Sequence, residues 1–228
     1  MKDKSAAIIS GIACTLLIIA LLVACVSTFA FDADFYKTEY EKLNTAEYVG
    51  VSDEELFGAT DVLLDYLEGD RDDLDFQTND GDEFFNQREK LHMVDVKNLY
   101  IMASTVSWVL FAAGAALLVV VFAKKKKNAV IPVLRGYNVA GPAVLAFFAI
   151  VAVYAAVDFN TFWVNFHLMF FSNDLWMLDP ATDRLIRMYE TQFFFDMVFC
   201  ILIMFLSIVI GMLVFAKLYL RSKKRKLR

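Results

Sequence analysis

Four long stretches of this chain are almost without charge. The runs Ala6–Phe31, Leu99–Ala123, Gly136–Val157 and Met197–Leu220 contain one ionised side chain between them, Lys217. Each exceeds the ~20 apolar residues that cross a bilayer as a helix, which excludes an ordinary soluble domain. Lys217 stands one turn from a basic tail and can snorkel to the headgroups. Catalytic signatures are equally sparse. There is no GxSxG elbow, no HExxH, no glycine-rich phosphate loop and no CxxC pair, so hydrolase, zincin, P-loop and dithiol chemistry have no motif to rest on. Cys14, Cys25 and Cys200 all fall inside the apolar runs, which leaves the outer loops without a structural disulfide. Histidine occurs only twice, at His92 and His167, each beside an apolar run.

What is present is asymmetric in charge. Lys2 and Lys4 precede the first run, Lys124–Lys127 and Arg135 separate the second from the third, and seven basic residues from Lys217 to Arg228 close the chain. The segment Phe31–Asn98 has six basic residues against twenty acidic ones. The positive-inside rule then predicts cytoplasmic termini and a cytoplasmic 124–135 loop, with 32–98 and 158–196 outside. The expected fold class is an all-α membrane protein. Four transmembrane helices lie in 1–31, 99–123, 136–157 and 197–220, with a small extracytoplasmic helical domain at 32–98 and an interfacial helical loop at 158–196. Clustered Lys and Arg directly after a membrane helix, as in 221–228, mark topology and anionic lipid rather than nucleic acid. Leu22-Val23-Ala24-Cys25 resembles a lipoprotein-processing box, yet the apolar run continues through Val26 and Phe29 as in an anchor helix.

The acidic outer segment has recognisable helix punctuation. Ser52 and Glu55 form a capping box before an amphipathic helix with Leu56, Val62, Leu63 and Leu67 on its apolar face and Gly69 as its stop. An earlier helix is predicted over Tyr36–Leu43, and Asp70–Asp82 reads as a turn-rich connection. The acidic residues lack the spacing of a calcium loop, so a solvated face is the expectation. About 67 residues bury little core alone, which predicts that this domain rests on the bilayer or on the second outer loop. From Glu83 a helix is expected to continue unbroken into the second run. It places Arg88, His92 and Asp95 on one face, with Glu89 one turn before His92, where a carboxylate can hold an imidazole tautomer.

The second outer stretch, Phe159–Asp196, combines few charges with many aromatic residues, the composition of a segment in the membrane–water boundary. Helical spacing puts Trp163, His167, Phe170 and Asp174 on one face. Asp179-Pro180 reads as a helix start, with Arg184, Arg187 and Tyr189 to follow. His167 carries a desolvation cost in such a segment. Each histidine taken singly also fits an ordinary boundary residue. Two imidazoles at matching depth of one membrane face suit general acid–base work on a substrate that brings its own nucleophile. Zinc held by both histidines with Asp95 or Asp174 is a second option, and a non-enzymatic lipid-binding or sensor protein a third. Chelator sensitivity marks the former, and tolerance of His→Ala changes the latter.

RExxHMxDVKxL (Arg88–Leu99) and FHxxFFSNDLWxLDPxTDxLIxM (Phe166–Met188) closely resemble the bacterial lipoprotein intramolecular transacylases. The resemblance covers nearly the whole chain. Where that family has Pro-Glu after the second motif, this chain reads Tyr189-Glu190-Thr191. The resemblance implies an acyltransferase acting on diacylglyceryl-modified lipoproteins. The sn-2 acyl chain would move from glycerol to the α-amine of the N-terminal cysteine, giving the lyso form. It implies a catalytic pair, His92 and His167, with no metal and no cofactor. Arg88, Asp95, Asn173 and Asp174 are expected to orient the histidines or bind the substrate headgroup. The expected partners are these lipoproteins and the lipids of the bacterial cell membrane.

Overall fold

The computed structural model describes residues 1–225; Lys226, Leu227 and Arg228, the end of the expected basic tail, lie outside the described residues. The helices are α1 (Asp3–Ala30), α2 (Ala33–Leu43), α3 (Thr45–Val49), α4 (Asp53–Glu68), α5 (Gln87–Lys125), α6 (Val130–Val157), α7 (Phe159–Phe170), α8 (Arg184–Met188) and α9 (Thr191–Arg225). Four of them, α1, α5, α6 and α9, are long and apolar enough to cross a membrane, in agreement with the four uncharged runs. Polar flanks lengthen each helix beyond its run. At 39 residues and ~1.5 Å per residue, α5 is roughly 58 Å long, about twice a hydrocarbon core. Its charged first turns, before Leu99, therefore lie outside the membrane-spanning part. The described residues form two compact units, one of 1–26, 103–162 and 201–225, the other of 27–102 and 163–200.

The first unit is a helix bundle packed through small residues. A Cβ on Gly136 of α6 would come within 2.4 Å of the Gly11 nitrogen of α1, so only glycine permits that crossing. Ala7 and Gly11, and Gly136 and Ala140, stand four apart on their helices, the small-xxx-small spacing that brings backbones together in membranes. Between α6 and α9, the Tyr137 hydroxyl donates to the Val209 carbonyl at 3.0 Å, and Phe148 meets Phe205 edge-on at 5.5 Å. Gly141-Pro142 does not interrupt α6, which runs through both. Large apolar side chains such as Trp108, Val119 and Ile150 are exposed on these helices, as a lipid-facing surface requires.

The second unit contains α2, α3, α4 and α8. The Ser52–Glu55 capping box is present in both directions and Gly69, at φ 95°, ends α4 as expected. The earlier helix is longer than Tyr36–Leu43 because Asp32 caps it, accepting from the Phe35 N–H at 3.2 Å. Tyr36, Tyr40, Leu56, Leu63, Phe84 and Phe85 share one core with Leu185, Met188 and Phe193. The acidic segment thus rests on the second outer stretch, which completes a core it is too short to build.

Three local expectations are corrected. Helix α5 starts at Gln87 rather than Glu83, because Glu83 bridges to Gln77 and the Phe84 N–H donates to the Phe76 carbonyl at 2.8 Å. Helix α7 ends at Phe170, so Asp174 does not share a helical face with His167. Asp179-Pro180 opens a turn instead of a helix. The Asp179 carbonyl accepts the N–H groups of Thr182 and Asp183, and Asp183 is the N-cap residue of α8. Arg184 and Arg187 lie on that helix, with Tyr189 just beyond it.

Candidate functional site: a buried imidazole pair

Both histidines belong to the second unit and come together. His92 on α5 and His167 on α7 are 8% and 5% exposed, with ring centroids 6.3 Å apart. Phe171 packs on both, at 5.5 Å from His92 and 5.6 Å from His167. The Trp176 ring stacks on His167 at 4.7 Å, and Trp163 lies against it edge-on at 4.6 Å.

The tautomer of His167 follows from one contact. Its Nδ1 lies 2.8 Å from the Trp163 carbonyl oxygen. A carbonyl only accepts, so Nδ1 carries the proton and Nε2 holds the lone pair in the neutral ring. His92 Nδ1 is buried with no hydrogen-bond partner. Burial lowers the pKa of His92 to about 4, helped by the charges on His167 and Arg88 and opposed by Asp95. Burial lowers His167 as well, and the Trp163 carbonyl partly offsets it. Both rings are therefore neutral near pH 7, the state in which an imidazole accepts a proton.

The other expected site residues are brought close to the pair without touching a ring nitrogen. Asn173 Nδ2 donates to Asp95 Oδ2 at 2.8 Å. Arg88 donates to the Asp174 carbonyl, and its guanidinium is 3.8 Å from the Asp174 carboxylate. Trp176 Nε1 donates to the Asn173 carbonyl at 3.0 Å. Asp95 thus reaches His167 through Asn173 and the stacked Trp176. These residues fasten the 171–176 loop to the first turns of α5, and the loop holds the ring.

Glu89 does something other than expected. Instead of pairing with His92, its buried carboxylate accepts the N–H of Leu185 at 2.5 Å and of Asn86 at 2.7 Å. Burial raises its pKa, against those two hydrogen bonds. Asn86 Oδ1 accepts the Glu89 N–H in return at 3.1 Å, which makes Asn86-x-x-Glu89 a capping box at the start of α5. Asn86 Nδ2 also donates to Asp183 Oδ1 at 2.8 Å. Burial would raise the Asp183 carboxyl, but donors from Asp179, Asn86 and Thr182 hold it below the usual range. The N-x-x-E spacing was visible in the sequence; its second use as a clasp on α8 was not. Among the described residues, no three His, Cys, Asp or Glu side chains converge as a metal site.

The four long apolar helices define the chain as a helical integral membrane protein, and two buried imidazoles pack together in its second unit. A family model for the lipoprotein intramolecular transacylase Lit matches residues 11–194. The chain belongs to that family, a family of acyltransferases. It is similar to the in meso structure of Lit from Bacillus cereus, with a TM-score of 0.72 and 23% identity over 98% of each chain. Similar too are a histidine-to-arginine variant of the same protein (TM-score 0.71, 23% identity, 99% and 95% covered) and a histidine-to-alanine variant (TM-score 0.70, 24% identity, 98% and 96% covered). No curated protein matches the chain. At these identities the likeness to the solved structures shows the fold.

Proposed function

We propose that this chain moves the sn-2 acyl group of a diacylglyceryl-cysteine lipoprotein onto the α-amino nitrogen of the same cysteine. The observation that carries this reading is the pair of buried, neutral imidazoles 6.3 Å apart in a member of this family. The nucleophile is the substrate's amine, so no enzyme serine or cysteine is needed. His167, whose lone pair lies on Nε2, takes the amine proton as nitrogen attacks the ester carbonyl. His92, neutral and carrying one N–H, stabilises the oxyanion. The C–N bond forms, the ester C–O bond breaks, and the proton on His167 passes to the departing glycerol oxygen. Amine and ester belong to one molecule, so holding a reactive conformer supplies much of the acceleration. No cofactor enters. The charge asymmetry supports cytoplasmic termini, with the histidines near the outer interface of a bacterial cell membrane and both acyl chains left in the lipid.

Substrate and product are isomers, so the assay must read connectivity rather than intact mass. Tandem fragmentation of a diacylglyceryl lipopeptide after incubation with purified protein locates the acyl group on nitrogen or on glycerol. His92→Ala and His167→Ala are each expected to lower the rate by about 100- to 10,000-fold, the usual range for acid–base help. Full activity of either variant at wild-type protein levels overturns the mechanism.

A further inference from the structure

Next to the imidazole pair is a cleft of about 230 Å³ that the mechanism above does not use. One side of it is polar, lined by Asp95, Asn98, Ser172 and Asn173; the other is apolar, with Leu99, Met102 and Phe170. Phe171, which packs on both imidazoles, forms part of its wall. Asp95 also stands one turn beyond His92 on α5. The volume is below the ~300–1,000 Å³ of pockets that enclose a whole small molecule. It suits an end group whose remainder lies elsewhere.

The charge of the cleft is specific. Asp95 is its only ionisable lining residue, and it makes no ion pair among the described residues. Asn173 holds Oδ2 at 2.8 Å and uses its own Oδ1 to accept the Leu175 N–H at 3.1 Å. That second contact fixes the amide so that its NH2 group faces Asp95. The carboxylate is therefore oriented, but its charge is not neutralised by any lysine or arginine. A cation beside an apolar wall complements it.

We propose that Asp95 captures the α-ammonium of the substrate's N-terminal cysteine in this cleft, with Asn173 positioning the carboxylate and the apolar side taking the thioether-linked stem. The inference rests on the proposed transacylase reading and adds a subsite to it. The subsite selects for a free amino terminus; the held ammonium gives one proton to solvent, and the neutral amine then attacks while His167 takes its second proton as in the mechanism above. An N-acylated lipoprotein, the reaction's product, has lost the cation and with it this anchor, so product release follows from the same contact.

The test uses the full chain in detergent and a synthetic S-diacylglyceryl-cysteine peptide, either with a free amine or N-acetylated. Affinities for both are measured in a His167→Ala background, which separates binding from turnover. The free-amine peptide is expected to bind about tenfold more tightly, the size of a charge-assisted contact in a partly exposed site. Asp95→Asn, which keeps an acceptor for Asn173, is expected to abolish that preference, and Asp95→Glu to restore part of it. Asn173→Ala leaves the charge in place and is expected to weaken binding while keeping the preference. With turnover restored, Asp95→Asn is expected to raise KM more than it lowers kcat. Equal affinity of the two peptides overturns the proposal, as does an undiminished preference in Asp95→Asn. So does displacement of the peptide by phosphatidylethanolamine but not phosphatidylcholine, which would assign the cleft to a lipid headgroup. A failure of the transacylase reading would appear instead as absent N-acyl product with the binding preference intact.

Discussion

His167 is held by two tryptophans, Trp163 through its carbonyl and Trp176 through a ring face. The imidazole environment has a consequence for pH. His92, at about 4 against an ordinary 6.5, and His167, also lowered, are already neutral above the usual histidine range. The acid limb of the rate should therefore follow the substrate amine, with an unperturbed pKa near 8. A lipopeptide whose amine is made less basic should shift that limb by the same amount in a kcat/KM profile. A limb fixed near pH 6.5 whatever the amine would assign the titration to an unshifted imidazole. Stability has the corresponding sign. The unfolded chain protonates His92 near 6.5 and the folded one only near 4, so stability is lost as pH falls through that interval. Thermal scans should show the loss, and His92→Phe should reduce its slope. Both histidines were legible as single residues, because the chain has no other and each stood beside an apolar run. The two tryptophan contacts were not, since neither has a residue-type signature in a stretch already rich in aromatics.

At the scale of elements, the caps of α4 were expected from the sequence, whereas the Asp32 cap of α2, the Asn86–Glu89 capping box of α5 and the 179–183 turn were not. Ser52, Glu55 and Gly69 delimit α4 as their chemistry dictates. Asp179-Pro180 carries an equally good local signal, but the Asp183 carboxylate draws the Asp179 N–H at 2.7 Å and the chain turns before α8 begins. The Glu89 clasp is the element-scale counterpart. Glu89→Ala leaves the N–H groups of Asn86 and Leu185 without their acceptor, at about 1–3 kcal/mol for each buried donor. A lower melting temperature is expected, with faster proteolysis in 171–183; wild-type protection in that segment would show the clasp to be dispensable. In the bundle, Gly136→Ala drives a methyl against the α1 backbone and should destabilise by about 1–3 kcal/mol, as overpacking does. Gly211→Ala is the matched control. Apart from its own helix backbone and chain neighbours, nothing lies within 4 Å of its new Cβ, so its thermal midpoint should hold or rise.

For the whole molecule, the four spans could be read directly from uncharged runs, since a bilayer leaves few other fates for them. That the second unit's core rests on the second outer stretch was one of two expectations, but the residues that complete it could not be read. Leu185, Met188 and Phe193 lie a hundred residues or more from the segment they complete, and no local periodicity reports such a distance. The orientation expected from charge is tested by single cysteines at Asp72 and Lys126, labelled in intact cells with an impermeant reagent. Asp72→Cys should react from outside and Lys126→Cys only after permeabilisation. Equal reaction from outside would end the four-span orientation.

The contact between His167 and the Trp163 carbonyl has a genetic consequence. The acceptor is main chain, so no codon change at position 163 deletes it, and the indole can drift while the proton stays on Nδ1. An alanine scan or a resistance screen is blind to it. Only a change that unwinds α7, such as proline placed within its turns, would release the ring. Selection acts here on the helix as a whole, and the inherited information that sets the tautomer is spread over every residue that keeps those turns wound.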